Sequence, residues 1–193
     1  MSIAREQLEA WLKKIDVDTK AVLDVGGSQL PIINRVNSFK VEDYKILDLK
    51  NPHEKNCGVD IVCDLSSSSV HEISSASHGQ KFDVVFCIEV MEYIHDPFSA
   101  IYNLVNLTKS YGTLYISFPF IYPVHNPAGK DFLRYTPEGA EFLLKKAGFK
   151  IVEHCLRRGD ANIKRLFDRY GMKARKKIDH SIIGSLIKAK KSF

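Results

Sequence analysis

Ala21-Val22-Leu23-Asp24-Val25-Gly26-Gly27-Ser28 constrains this chain more than any other stretch. An apolar run of this length, closed by turn residues, reads as a strand buried on both faces. Glycines directly after it let the backbone bend sharply and approach a ligand with no Cβ in the way. A dinucleotide site would carry G-x-G-x-x-G, whose helix N-terminus holds pyrophosphate. Here Gly26-Gly27-Ser28-Gln29-Leu30-Pro31 has no later glycine, and no glycine precedes a Lys-Ser or Lys-Thr pair as a P-loop requires. Asp24, an acid ahead of the glycines, suits a ligand that carries positive charge. The expectation is a nucleoside-type cofactor that is not a dinucleotide.

The rest of the pattern supplies a scaffold for that turn. Leu8, Trp11, Leu12 and Ile15 make an i, i+3, i+4, i+7 stripe that predicts an amphipathic helix over residues 3–15. Strands are expected at 21–25, 44–48, 60–65, 82–88, 113–118 and 149–155, with a last one at 184–189. Pro31 fits the first turn of a short helix over 32–36. Asp96-Pro97 and Thr136-Pro137 read as capped helix starts, Gly148 as a helix stop and Gly112 as a break in the chain. Strands alternating with helices imply an α/β, doubly wound, Rossmann-like sheet, mostly parallel, with helices on both faces and an antiparallel C-terminal strand. Ligands in such sheets lie outside the carboxyl ends of the strands. Asp24, Asp48, Asp64 and Glu89 all fall at or just past those ends. Asp48 follows Asp24 at about the ~20-residue offset at which an acid meets ribose hydroxyls.

With 193 residues the chain suits one domain, 1–193, with an N-terminal helix in 1–18 and a basic helix and last strand in 157–193. Cys57, Cys63, Cys87 and Cys155 have no paired spacing, so neither a zinc site nor any other metal is expected, and a reducing, cytoplasmic setting is the default. No run approaches the ~20 apolar residues of a membrane helix, so no transmembrane segment is expected. The net charge of +5 is unevenly spread: residues 157–193 hold 12 of the 28 Lys and Arg but 3 of the 23 Asp and Glu. Lys164, Arg165, Arg169, Lys173, Arg175, Lys176 and Lys177, with Phe167 and Tyr170 interleaved, raise a nucleic-acid or anionic-membrane reading. Ile163, Leu166, Phe167 and Tyr170 also form a helical apolar stripe, and a packed helix with a solvated basic face is favoured over it.

In the order of their motifs, residues 21–155 resemble the class I S-adenosylmethionine-dependent methyltransferases, in the compact branch that includes ubiquinone-pathway and polysaccharide-cluster enzymes. The matching pieces are Val22-Leu23-Asp24-Val25-Gly26-Gly27, Ile46-Leu47-Asp48, Cys63-Asp64-Leu65, Phe82 to Pro97, Gly112 to Pro119, and Leu143-Leu144-Lys145-Lys146-Ala147-Gly148-Phe149. The resemblance implies S-adenosyl-L-methionine as cofactor. Gly26, Gly27 and Ser28 would lie against its methionine part, with Asp24 near the ammonium. Asp48, flanked by Leu49, would accept from the ribose hydroxyls, and Asp64 from the adenine amino group, with Leu65 on the ring. Ile88 and Glu89 would line the methyl channel. Two positions depart from the family pattern: Gln29-Leu30 stands where a third glycine is usual, and Tyr93 where histidine is common.

The long stretch 119–135 follows a strand end, where such loops carry function. It holds His125, Asp131, Arg134 and Tyr135 among aromatics, as a mixed pocket would. His125 is the candidate general base, with Asp131 beside it as catalytic partner, and Arg134, Tyr135 and Tyr93 as substrate contacts. An Asp131–Arg134 pair that merely staples the loop is the plainer alternative. The expected acceptor is an O or N of a small-molecule or carbohydrate substrate. A non-catalytic partner subunit on the same fold is the competing reading.

Overall fold

The computed structural model describes residues 2–53, 56–125, 129–160, 162–163, 165, 169 and 181–192. Helix α1 (Ile3–Leu12) starts where the Ser2 hydroxyl accepts from the Arg5 N–H, and it buries Ala4, Leu8, Trp11 and Leu12. It ends before Ile15, which is buried in the turn into β1 (Asp16–Val25). That strand starts five residues earlier than the apolar run suggests. Its first half alternates exposed Asp16 and Asp18 with buried Val17, and everything from Ala21 onward is buried. Next come β2 (Ser38–Asp48), β3 (Ile61–Val62), α2 (Val70–Ala76), β4 (Phe82–Cys87), α3 (Pro97–Leu107), β5 (Thr108–Pro119), α4 (Pro137–Lys146), β6 (Phe149–Arg158) and β7 (Ile182–Lys191). Pro31 precedes a single 3-10 turn, Ile32–Asn34, rather than the longer helix its position suggests.

The helix boundaries follow from caps. Ser69 and Glu72 form a reciprocal capping box on α2. Asp96 accepts from the N–H groups of Phe98 and Ser99 at 3.1 Å each, with Pro97 in the first turn of α3. Thr136 caps α4 in the same way, and Gly148, at φ +99°, ends it.

The seven strands lie in the order β3-β2-β1-β4-β5-β7-β6. All neighbours are parallel except β7, which runs antiparallel to both β5 and β6. This is the expected doubly wound sheet with an antiparallel C-terminal strand. One face packs Leu23, Val85 and Ile116 in one core with Ile73 of α2, Leu104 of α3 and Leu144 of α4. The other packs Val22, Phe86 and Tyr115 against Leu8, Trp11 and Leu12 of α1, with Phe86 and Tyr115 stacked at 4.9 Å. Each such large apolar side chain contributes roughly 1.5–3 kcal/mol on burial.

Gly112 does not break the chain as expected. It lies inside β5, where a Cβ would come 2.8 Å from Thr108 Cγ2 and 2.9 Å from the Lys109 carbonyl. The adjacent Tyr111 at φ +61° and the register shift opposite Phe82 and Val84 mark a bulge that absorbs the crowding. The third strand contracts to Ile61–Val62. The basic helix expected over 161–177 lies outside the described residues, apart from Asn162, Ile163, Arg165 and Arg169. No helix among the described residues is long and apolar enough to cross a membrane.

Candidate functional site

Strand order fixes a row of chemistry along the carboxyl edge of the sheet. Asp64 stands just past β3, Asp48 ends β2, Gly26 follows β1 and Glu89 follows β4. These residues open on one cavity of about 370 Å³, whose walls also include Leu49, Leu65, Tyr93 and, from the loop after β5, Phe132.

Gly26 has to be glycine. Its φ is +73°, its N–H donates to the Leu47 carbonyl at 2.8 Å, and a Cβ would lie 2.5 Å from Val90 Cγ2. Asp48 is held in place: its Oδ2 accepts from the Ser28 hydroxyl at 2.5 Å and more distantly from the Ser28 N–H, and its Oδ1 accepts from the Leu49 N–H at 2.8 Å. Three of the carboxylate's roughly four acceptor positions are thus taken, and Oδ1 keeps one for a hydroxyl from the cavity. Asp64 is oriented by the Ser66 N–H, which donates to its Oδ1 at 2.8 Å.

Four residues expected at the cofactor lie elsewhere. Asp24 is buried beneath the turn, where its Oδ2 accepts from the Ile32 N–H at 2.7 Å and the Tyr44 hydroxyl at 2.6 Å. Burial pushes its carboxyl up to about 6, against the two hydrogen bonds that favour its ionised form. Gly27 packs on Asp24 rather than on the cavity, since a Cβ there would meet that carboxyl at 2.4 Å. Ser28 is wholly buried and acts through Asp48. Ile88 belongs to the core cluster under α1 that also holds Leu8 and Phe86, and it does not line the cavity.

The loop after β5 is strapped rather than open. Asp131 has a fully buried carboxylate that pairs bidentately with Arg134, at 2.5 and 2.6 Å, and accepts from the His125 N–H at 2.6 Å. The Arg134 hydrogen bonds hold the Asp131 carboxyl below its ordinary range. Arg134 uses its remaining donors on the carbonyls of Tyr122, Pro123 and Leu133, so its guanidinium is spent on the loop and not on a substrate. Tyr135 is likewise structural: it is buried against Phe118, and its hydroxyl donates to the Met91 carbonyl. Asp131 does not line this cavity and acts as the staple. His125 rests between the rings of Tyr93 and Tyr122, outside the cavity wall, with its Nδ1 3.6 Å from Glu92 Oε1. Tyr93 does line the cavity; burial pushes it up to about 12, so near neutral pH it is present as a hydroxyl.

Three polar residues that no sequence signal isolates stand around Glu89 behind the cavity wall. Glu92 is buried, and its Oε2 has no hydrogen-bond partner among the described residues. Burial first and then the nearby Glu89 push its carboxyl up. Arg157, on β6, is 1% exposed and stands 3.1 Å from Glu89 Oε1. Ser117 donates to that same oxygen at 2.8 Å and accepts from the Glu89 N–H at 2.7 Å. No group of three or more His, Cys, Asp or Glu suited to a metal is found among the described residues.

No protein-family model matches the chain. A 74-residue segment, 37% of this chain, is 32% identical to the ubiquinone biosynthesis O-methyltransferase of Actinobacillus pleuropneumoniae serotype 7. The matches span 31% of that enzyme and 38% of its Salmonella enteritidis counterpart, so the chain covers about a third of the length of these curated relatives. Among solved structures, the N-methyltransferase NodS of Bradyrhizobium japonicum WM9, solved with S-adenosyl-L-homocysteine, superposes with a TM-score of 0.62 at 12% identity, over 98% of this chain and 86% of that one. A methyltransferase of Archaeoglobus fulgidus superposes with a TM-score of 0.59 at 16% identity, over 98% and 92%. Strand order, the glycine turn and these superpositions agree: the chain has the fold of the class I S-adenosylmethionine-dependent methyltransferases.

Proposed function

We propose that the protein is an S-adenosylmethionine-dependent methyltransferase that acts on an oxygen or nitrogen of a small-molecule or sugar-type acceptor. The observation that carries this reading is the cavity at the strand ends. It combines a glycine cradle with no room for a Cβ at Gly26 and an Asp48 carboxylate already fixed by Ser28 and Leu49. Those groups fit an adenosine: Asp48 for the ribose diol, Asp64 for the adenine edge, Leu49 and Leu65 for its faces. The cofactor would supply an electrophilic methyl group on a sulfonium.

What remains for the chain is positioning and exclusion of water, which account for most of the barrier reduction in a displacement with a good leaving group. Tyr93, His95, Lys130 and Phe132 bound the cavity on the side of the strapped loop and supply the mixed polar and aromatic wall that an acceptor needs. An acceptor hydroxyl or ammonium also has to lose a proton. His125 stands behind the Tyr93 ring, outside the cavity wall, so it is the candidate to take that proton through an intervening group and not by direct contact with the acceptor.

Isothermal calorimetry with S-adenosylhomocysteine tests the reading. Binding in the micromolar range is expected, and Asp48→Ala should weaken it about tenfold or more, the scale of a hydrogen-bonded charged group. A folded protein that binds nothing at millimolar ligand refutes the assignment.

A further inference from the structure

Asp24 is the acid that the glycine motif offers as partner for a cationic cofactor, yet it is closed off by Ile32 and Tyr44. The cavity has three carboxylates in its wall among the described residues: Asp48, Asp64 and Glu89. Strand order puts Asp64 and Asp48 on the β3 and β2 side of Gly26, and Glu89 on the β4 side. A nucleoside held by Asp48 and Asp64 therefore extends past Gly26 toward Glu89, and its aminoacyl end arrives there.

Glu89 is built to stay in that place. It adopts φ +56°, a left-handed conformation that a non-glycine residue rarely takes. Strain of this kind persists where the surroundings over-determine it, and it concentrates at ligand sites. Its N–H donates to Ser117, its Oε1 accepts from the same hydroxyl, and the buried Arg157 stands against Oε1 as well. Arg157 is itself confined, since a Cβ on Gly184 would lie 3.0 Å from its Nε. Two groups thus anchor one oxygen from behind, while no described residue donates to Oε2, and the side chain retains 21% exposure.

We propose that Glu89, anchored by Ser117 and Arg157, is the counter-charge for the ammonium group of the cofactor's aminoacyl end, in the role that the motif assigns to Asp24. The proposal rests on the cofactor reading above. Calorimetry with three ligands separates the two. S-adenosylhomocysteine carries the ammonium and no sulfonium, S-adenosylmethionine carries both, and methylthioadenosine carries neither. Glu89→Gln should weaken S-adenosylhomocysteine and S-adenosylmethionine by the same factor, about tenfold, as expected for a lost charged hydrogen bond. Methylthioadenosine should change less than about twofold.

Equal losses for all three ligands, a loss confined to S-adenosylmethionine, or no loss at all overturns the proposal. Wild-type protein that binds none of the three refutes the cofactor reading itself, a distinct outcome. The single change leaves Arg157 buried without its counter-charge, which destabilises a fold. The double variant E89Q/R157M removes both charges together and carries the same expectation for the three ligands.

Discussion

Replacing Asp24 by asparagine removes a charge that the fold buries at some expense. The wild-type carboxyl sits at about 6 against an ordinary value of 3.8, chiefly because it is desolvated. A carboxyl raised in the native state binds its proton more tightly folded than unfolded. This group therefore stabilises the fold most below pH 3.8, and its contribution falls as pH rises through 6. The two values differ by about 2 pH units, or about 3 kcal/mol over the full range. Integrated between pH 5 and pH 8, the loss is about 1.4 kcal/mol. The substituted amide cannot titrate, and its oxygen can still accept from the Ile32 N–H and the Tyr44 hydroxyl. Any fixed penalty for its amino group is the same at both pH values and cancels. Urea unfolding of both proteins at pH 5 and pH 8 should therefore show Asp24→Asn gaining about 1.4 kcal/mol on the wild type between the two conditions. Affinity for S-adenosylhomocysteine should stay within about threefold, since this carboxylate is spent on internal donors. A pH-independent difference, or one of opposite sign, refutes the burial argument. A tenfold or larger loss of affinity would return Asp24 to the cofactor.

Gly26→Ala forces a Cβ against Val90 in a left-handed backbone; it should lower stability by about 1–3 kcal/mol, and Val90→Ala should recover part of the loss in thermal unfolding. Ser28→Ala releases Asp48 Oδ2 and should weaken S-adenosylhomocysteine and methylthioadenosine alike by about tenfold in calorimetry, because the contact lies at the ribose end. Asp131→Ala leaves Arg134 and the His125 N–H without their shared acceptor; the fold should lose about 1–3 kcal/mol, with new proteolytic cleavage within 121–133 under native conditions. Loop cleavage at the wild-type rate would show that the staple is not what holds His125 against Asp131 and Arg134.

The architecture was legible because it depends on local grammar. The apolar runs after residues 20 and 81, the Asp-Pro and Thr-Pro caps and the Gly148 stop each fix their element without reference to the rest of the chain. Asp48 and Asp64 were legible for the same reason, as acids at strand ends. Asp24 looks identical in sequence; what removes it from the cavity is the Tyr44 hydroxyl, 20 residues away, and the turn that brings the Ile32 N–H over it. Glu92 carried no separate signal beside Glu89, and Arg157 read as the first of a basic tail. Only the pairing of β6 with β7, and the opening left by Gly184, shows that its guanidinium turns inward. Arg134 and Tyr135 misled because loop composition marks a segment as polar and aromatic without saying whether those groups face a ligand or one another.

The late position of β7 in the chain has a consequence for biosynthesis. β6 reaches the sheet only through β7, which separates it from β5 along its whole length. While the polypeptide leaves the ribosome, β1 to β5 can zip together as they emerge, but β6 has no ladder to join until 182–191 are free. Lys191, near the far end of that strand, then closes the back of the molecule by donating to the carbonyls of Val105 and Thr108. The Arg157 support behind Glu89 is thus the last part of the site to be assembled, and a nascent chain short of this strand would expose the apolar edge of β5 to chaperones or to its neighbours.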